Sequence, residues 1–337
     1  MHDTTRDEDD LTGVGLEVES PAAAEHGGRW GWLGAAISIV TIAAFVWWAL
    51  RQEPPTIPTS AAALAELAAA VAVYAVATVI RGWRWHILLR RSHVEHEAAD
   101  AFALIPVGYM GNAILPARGG EVLRVVLLAQ NSPARKREVA GSIVAERLLD
   151  AAVLALLFAV LTWIGIAGSP VGQLAGWLAA GGVLALIALG AFGLRVRNHP
   201  RLAPVVTKLR PFALASARLL HPWGLGLAAV TAGVWCLEGV VFYLVGQSLD
   251  LPIEWIDGLF LVVLTSFFAL IPAGPAYAGT FDAAAVFGLK ALDVTGGAAL
   301  SFALLVRAVL FIPITLVGLI LVVVRYGGWR AVRRARR

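Results

Sequence analysis

Hydrophobic residues occur in long runs along this chain, and polar residues gather between the runs instead of alternating with them. The hydrocarbon core of a bilayer is about 30 Å thick, and an α-helix needs about 20 apolar residues to cross it. The runs lie at residues 30–50, 61–80, 101–117, 143–168, 171–194, 223–247, 255–272 and 296–325. This pattern predicts an all-α polytopic membrane protein.

Two of these runs end in residues that interrupt helices. The run at 101–117 passes directly into a stretch rich in proline and glycine, and so does the run at 255–272, beyond which a weakly apolar stretch continues to Leu289. Proline removes a backbone donor and glycine permits sharp turns. Each run therefore predicts a helix that enters the membrane, breaks and turns back. The predicted breaking and gating residues are Pro116, Gly119, Gly120, Pro272, Gly274, Pro275 and Gly279.

The basic residues decide the predicted orientation, because Lys and Arg are enriched in cytoplasmic loops. They cluster at 81–91, 135–137, 195–218 and 325–337. All four clusters face the cytoplasm only if 101–130 is a re-entrant hairpin from inside and 255–292 is another from outside. The prediction is about six full transmembrane helices plus two oppositely oriented re-entrant helical hairpins, or about eight membrane segments, with both termini in the cytoplasm.

Opposed hairpins suggest an inverted repeat, an arrangement from which many transporters build a site at the midplane. The stretches Phe102–Pro106 and Phe268–Pro272 are identical in sequence. A register that pairs Pro116 with Pro272 is equally defensible, and a five-residue match in so apolar a chain can also arise by chance. The inverted repeat is therefore left open.

Composition limits what lies outside the membrane. Of the 337 residues, 59% are hydrophobic and 15% are charged, and no polar segment between the runs reaches the roughly 50 residues of a minimal domain. A separate extramembrane catalytic domain is therefore not expected. Residues 1–29 are acidic and rich in small residues, which predicts a disordered cytoplasmic tail. Residues 30–325 form the predicted membrane domain, and 326–337 a basic cytoplasmic tail.

Charged residues within or against the apolar runs are the first candidates for function, because a charge at membrane depth is costly unless it is paired, hydrated or used. Helix breaks at that depth also need protein or a water-filled cavity to cover the freed backbone. Together the two features predict a polar cavity, and hence transport or lipid handling. The charged residues are Arg118, Glu121, Arg124, Glu146, Arg147, Asp150, Glu238, Asp282, Lys290 and Arg307.

The richest constellation begins at the first break. A helix that starts after Gly119 would turn its free amide groups and positive dipole end toward an anion such as a lipid phosphate. Arg118 and Arg124 offer the bidentate fork that suits phosphate, and Glu121 could hold one of them in place. The alternative is a loop at the cytoplasmic edge whose arginines extend to the membrane surface.

The next helix carries a charged triad. Glu146 and Asp150 lie one turn apart and Arg147 lies three residues before Asp150, so all three share a face. The alternative to a substrate site is a buried ion-pair network that fixes helix packing. Further along, Arg307 lies near the middle of its run and needs an anionic partner, for which Asp282 and Glu238 are the candidates.

Two other polar stretches receive structural interpretations. The segment Arg81–His86 mixes arginine with tryptophan, which favours anchoring at an anionic leaflet over headgroup recognition. The segment His93–Glu97 lacks the two-histidine helical turn of zinc proteases, so no metal site is predicted. The basic stretch 195–222 is interpreted as a helix on the lipid surface, and nucleic acid is not an expected partner.

Several motifs together resemble the flippase-like membrane domain of bacterial lysylphosphatidylglycerol synthases, over residues 30–325. The resemblance implies a domain with re-entrant elements that moves aminoacylated or otherwise modified lipids between leaflets; for stand-alone members it also implies polyprenyl-phosphate sugars as substrates. The motifs are Asn112-x-x-Leu115-Pro116-x-Arg118-x-Gly120-Glu121-x-x-Arg124, Glu146-Arg147-Leu148-Leu149-Asp150, Pro272-x-Gly274-Pro275-x-x-x-Gly279 and Arg307.

The chain departs from this family pattern in two ways. The second glycine-rich motif usually ends in Glu, whereas here the acid is the shorter Asp282. The soluble aminoacyltransferase domain is also absent, so synthesis of lysylphosphatidylglycerol by this chain alone is not expected.

The sequence thus predicts a flippase-like transporter in a bacterial-type cell membrane that moves an anionic or modified phospholipid or lipid-linked headgroup through a central charged cavity. The alternatives are an intramembrane enzyme that transfers or hydrolyses a lipid-linked group, and a membrane scaffold. Membrane lipids are the predicted partners, no cofactor is predicted, and the oligomeric state is left open. The predicted substrate-binding residues are Asn112, Arg118, Glu121, Arg124, Glu146, Arg147, Asp150, Glu238, Asp282 and Arg307.

Overall fold

The computed structural model describes residues 39–40, 42–115, 118–164, 219, 221–269 and 275–328. All regular structure within these ranges is helical, so the predicted all-α class is confirmed for them. The predicted tail 1–29, the run at 171–194 and most of both terminal and central basic segments lie outside the described residues. So do three of the predicted breaking residues, Pro116, Pro272 and Gly274.

Eight α-helices have their bounds defined in this part of the chain, and residues 42–49 are also helical. Helices α1, α5 and α8 are long and apolar enough to cross a membrane, which supports a multi-pass membrane protein. The bounds are α1 Ala61–Arg91, α2 Ala98–Ile114, α3 Gly119–Asn131, α4 Lys136–Trp163, α5 Pro222–Gln247, α6 Trp255–Phe268, α7 Thr280–Lys290 and α8 Gly296–Val324.

Helix α1 is longer than the apolar run that predicted it. The hydroxyl of Ser60 accepts a hydrogen bond from the Ala63 N–H at 3.1 Å and caps the start of the helix. The run ends at residue 80, but the helix continues to Arg91, since the arginines that interrupt the apolar pattern are covered by neighbouring helices. The long α1 thereby carries polar side chains into the protein interior.

Two pairs of short helices occupy the places of the predicted hairpins. Helices α2 and α3 are joined at the first break, and α6 and α7 at the second. The longest of the four, α2, has 17 residues, so at 1.5 Å per residue none exceeds about 26 Å, less than the thickness of a bilayer core. Their lengths are compatible with re-entrant hairpins, whose placement in a membrane stays a prediction.

Glycines bring the two helices of the first pair into backbone contact. A Cβ atom added at Gly120 would overlap the carbonyl oxygen of Gly108, and one added at Gly111 would overlap the Cα of Gly120. No larger residue fits at these positions unless the helices separate. The tight turn and close approach expected from these glycines are therefore present.

Helix α8 packs along α2, and the two run in opposite directions. Gly318 of α8 faces Pro106 of α2. Just beyond α8, the Arg325 Nε donates to Asp100 Oδ1 at 2.8 Å and the Tyr326 hydroxyl donates to the same oxygen at 2.9 Å. Burial and this hydrogen bond raise the pKa of Tyr326 above its ordinary value. These contacts fasten the end of α8 to the start of α2.

The identical pentapeptides occupy different positions in the two helix pairs. Phe102–Pro106 lies inside α2, with Pro106 within the helix. Phe268, by contrast, is the last residue of α6, and Ala269 already caps it. The match therefore does not align the two pairs, whereas a register through the breaks would. The inverted repeat in that second register stays a prediction.

Candidate functional site

The two helix breaks come together inside the protein. The Arg118 Nη2 donates to the carbonyl oxygen of Ala269, at the end of α6, with a distance of 2.8 Å. The Arg118 guanidinium also lies 5.8 Å from the ring centre of Tyr277. Arg118, Ala276 and Tyr277 all have left-handed backbones, with φ of 56°, 55° and 53°. Such conformations are strained for non-glycine residues and concentrate at functional sites, so this junction is where a site is expected.

Beside the junction, four arginines and three carboxylates from α1, α3 and α4 form one connected group, which we call the arginine cluster. An excess of one arginine over the carboxylates leaves the cluster with a net positive charge at neutral pH. Its members are Arg84, Arg118, Arg124, Arg147, Glu121, Glu146 and Asp150.

Arg84 is the buried centre of this cluster, with a side chain only 1% exposed. Its Nη1 donates to Asp150 Oδ1 at 2.6 Å and to the Thr231 hydroxyl at 2.7 Å. Its Nη2 donates to Glu146 Oε1 at 3.0 Å. Since these partners lie on α4 and α5, Arg84 ties three helices together.

Glu146 collects arginines from several directions. Besides Arg84, it accepts from the Arg124 Nη2 at 2.7 Å and from the Arg147 Nη2 at 3.3 Å. The Arg124 guanidinium also lies 4.1 Å from the ring centre of Trp85, a cation–π contact. The predicted shared face of Glu146, Arg147 and Asp150 is present. Most of the triad is engaged in a buried ion-pair network, which was the alternative interpretation of these residues.

The outer part of the cluster is bound much more loosely. The side chains of Arg118, Glu121 and Arg147 are 32%, 26% and 34% exposed. Glu121 Oε1 lies 3.8 Å from Arg118 Nη1 and 3.6 Å from Arg147 Nε, beyond hydrogen-bonding distance from both. Within the described residues, Arg147 Nε has no hydrogen-bond acceptor. Arg118 and Arg147 thus retain donor capacity that the inner arginines have used.

A small pocket opens at this outer part, with room for about one water molecule. It is far smaller than a lipid headgroup, so the headgroup-sized cavity predicted from the sequence is not present at this place. A ligand of that size can enter only if the helices around the pocket move apart. The lining residues are Ile105, Gly108, Tyr109, Asn112, Glu121, Arg124 and Arg147.

Asn112 acts on the start of α3. Its Oδ1 accepts a hydrogen bond from the backbone N–H of Gly120 at 3.0 Å. The expectation that the first amides of this helix are free for an anion is therefore wrong for Gly120, because a side chain of the preceding helix has already satisfied it. Gly119 is the first residue of α3, as its predicted role at the break requires.

At the second break, Asp282 and Arg307 form a two-pronged ion pair. The Arg307 Nε and Nη2 donate to the two carboxylate oxygens of Asp282 at 2.8 and 2.7 Å, and the Nη1 donates to the Ala276 carbonyl at 3.2 Å. Asp282 also accepts from the backbone N–H of Gly279 at 2.9 Å. The open choice of partner for Arg307 is thereby resolved in favour of Asp282. The pair holds the backbone around Pro275 and Gly279 in place.

The other candidate, Glu238, pairs with Arg81 of α1 instead. The Arg81 guanidinium lies 5.7 Å from the ring centre of Tyr109 and 5.2 Å from that of Trp235. This pair is separate from the arginine cluster, so Glu238 is not brought to the junction of the breaks. Lys290 is not brought there either, because it is the exposed last residue of α7.

Arg81 and Arg84 are the residues that the sequence interpretation missed. Their side chains are buried in ion pairs, so the expectation that they anchor the chain at a leaflet is wrong. Their three-residue spacing, which places both on one face of a helix, was the available signal. Apolar residues continue on both sides of them, and that too favours burial.

Comparison with known proteins gives one result. A family model described as the lysylphosphatidylglycerol synthase TM region matches residues 31–318. No match was found among curated proteins or among solved structures.

Proposed function

This chain belongs to the lysylphosphatidylglycerol synthase transmembrane family, and on that premise we propose that it moves an anionic or modified phospholipid, or a lipid-linked headgroup, between membrane leaflets. The family indicates a membrane protein of lipid metabolism or transport. The observation that carries the narrower proposal is the net positive arginine cluster beside the meeting point of two interrupted helices. Charges are retained at such depth when they serve a function or are paired.

The proposed topology has α2 and α3 entering from the cytoplasmic side and α6 and α7 from the opposite side of the cell membrane. Both chain termini are cytoplasmic in this proposal. Supporting it, the ends of α1 and α8 and the beginning of α2 carry the basic residues Arg90, Arg91 and Arg325 at one end of the helix bundle. The breaks then lie between the two membrane faces, where each hairpin can open the site to one side.

Within the site, the arginines divide into two groups with different tasks. Arg84 and Arg124 spend their hydrogen bonds on Glu146 and Asp150 and hold the helices together. Arg118 and Arg147 remain partly exposed and contact the lipid phosphate, while the acyl or prenyl tails stay in the bilayer. Entry of a headgroup requires the hairpin tips to separate, which breaks the contact between Arg118 and Ala269.

The geometry favours transport over the intramembrane enzyme. Glu146 and Asp150 are the carboxylates that such an enzyme would use for acid–base chemistry. Both are buried and accept hydrogen bonds from arginines. A carboxylate held in this way stabilises helix packing and is poorly suited to exchanging protons with a substrate.

Lipid movement in proteoliposomes tests the proposal. Arg147→Gln removes a half-exposed positive charge, and we expect it to slow translocation of a fluorescent phosphatidylglycerol at least tenfold. Arg137→Gln is the matched control, because Arg137 lies on the same helix but is exposed at its first turn. Equal translocation by both variants and the unaltered protein would exclude Arg147 from the mechanism. Chromatography of the lipids after the assay checks the enzyme alternative, which requires a new lipid species.

A further inference from the structure

Glu121 is a carboxylate without a committed partner in a site that otherwise pairs its charges closely. One oxygen, Oε1, faces both half-exposed arginines, at 3.8 Å from Arg118 Nη1 and 3.6 Å from Arg147 Nε. Neither distance allows a hydrogen bond. By contrast, the carboxylates of Glu146 and Asp150 are contacted at 2.6 to 3.0 Å.

The two arginines that face Glu121 have donors to spare. Arg147 Nε is buried and lacks an acceptor within the described part of the chain. The hydrogen bonds that Arg147 does make are limited to one long contact of 3.3 Å with Glu146. Arg118 uses Nη2 on the Ala269 carbonyl, which leaves Nη1 turned toward Glu121. A tetrahedral phosphate carries more acceptor oxygens than a carboxylate and can serve both guanidinium groups with short, charge-assisted bonds.

We infer that Glu121 is a resident anion that occupies the phosphate position of the site and is displaced when the phosphodiester of an anionic lipid binds. The inference rests on the proposed function and names the chemical group recognised, which is the phosphate and not a cationic headgroup. With Glu121 in place the cluster has four arginines and three carboxylates; removal of its charge leaves four against two. The carboxylate therefore weakens phosphate binding and, because it can return, promotes release of the lipid.

This role has a consequence opposite in sign to that of an orienting or cation-binding residue. Neutralising a competitor strengthens anion binding, whereas neutralising a group that positions Arg118 or Arg147, or that binds a cationic headgroup, weakens it. Each loosely held ion pair is worth up to about 1 kcal/mol, and two such pairs are released. Glu121→Gln is therefore expected to tighten binding of an anionic lipid on the order of tenfold.

Titration of the purified protein with dioctanoyl-phosphatidylglycerol measures this affinity, and proteoliposomes measure translocation. We expect Glu121→Gln to bind the lipid about tenfold more tightly and to translocate it more slowly at saturation, because release becomes limiting. Glu121→Asp keeps the charge and should stay within about threefold of the unaltered protein. Glu66→Gln is the matched control, since it makes the same change on α1, away from the cluster.

The outcomes separate the two proposals. If Arg147→Gln impairs translocation but Glu121→Gln leaves the affinity unchanged or weakens it, the role of Glu121 is refuted and the transport proposal stands. If neither the unaltered protein nor any variant binds or moves the lipid, both fail. Thermal unfolding of Glu121→Gln should match the unaltered protein, because no hydrogen bond is lost. Inorganic phosphate is the second probe: binding as strong as that of the lipid would overturn a site built for a lipid phosphodiester.

Discussion

Replacement of Arg84 by methionine is the sharpest test of how the arginine cluster holds the protein together. Arg84→Met keeps a long side chain of similar reach but removes the guanidinium that contacts Asp150, Glu146 and Thr231. Glu146 retains Arg124 and Arg147, whereas Asp150 retains only Arg147, at 3.5 Å. The main penalty therefore falls on a single carboxylate that is 8% exposed.

The magnitude follows from that count. Removing one partner of a buried ion pair costs about 3–5 kcal/mol, because the remaining charge is left without compensation. For one orphaned carboxylate, Arg84→Met should lower the apparent melting temperature in detergent on the order of 10 °C. Tryptophan fluorescence during heating measures it. Arg90→Met is the matched control, since Arg90 lies in the last turn of the same helix and is exposed.

A second substitution makes this reasoning refutable. If the loss arises from the uncompensated charge on Asp150, then Arg84→Met combined with Asp150→Asn should recover a large part of it. Losses that simply add would show that the two residues act independently. An Arg84→Met protein that melts with the unaltered one would show that the buried contacts contribute nothing to stability.

Three further predictions concern other parts of the fold. Asp282→Asn removes the charge opposite Arg307 and should cost about 1–3 kcal/mol in unfolding experiments; unchanged stability would show that this pair does not hold the second break. Gly120→Ala forces a methyl group against a backbone carbonyl and should lower the melting temperature sharply, whereas Gly226→Ala, where a methyl group meets open space, should not. The raised pKa of Tyr326 means that its contribution is fully present below its ordinary pKa of about 10 and is lost as pH rises toward the higher folded value; Tyr326→Phe should flatten the loss of stability measured above about pH 10.

Sequence patterns predicted the helices best where apolar residues run without interruption. The runs at 223–247 and 296–325 agree with α5 and α8 to within one residue at each end. The run at 61–80 stopped 11 residues short of the end of α1, because the arginines beyond it count as polar until their partners are known. Those partners lie 62, 66 and 157 residues away, on other helices. Local spacing carries no information about such contacts.

The candidate site was predictable in its residue types but not in its pairings. A charged group at membrane depth announces itself in the sequence, and the triad of Glu146, Arg147 and Asp150 follows from helical periodicity. The choice of Asp282 over Glu238 as the partner of Arg307 depends on how α5, α7 and α8 pack. The size of the pocket depends on packing throughout, so the sequence overstated it.

The backbone contact between α2 and α3 has a mechanical consequence. With glycines at the crossing and no side chains between the two helices, they cannot slide or scissor past one another without losing that contact. Any displacement therefore carries both as a single lever, and the bending falls on the connecting segments 92–97 and 132–135. Arg118 and Glu121 travel with this lever while Arg147 stays on α4, so the spacing of the three charges becomes a direct gauge of its position.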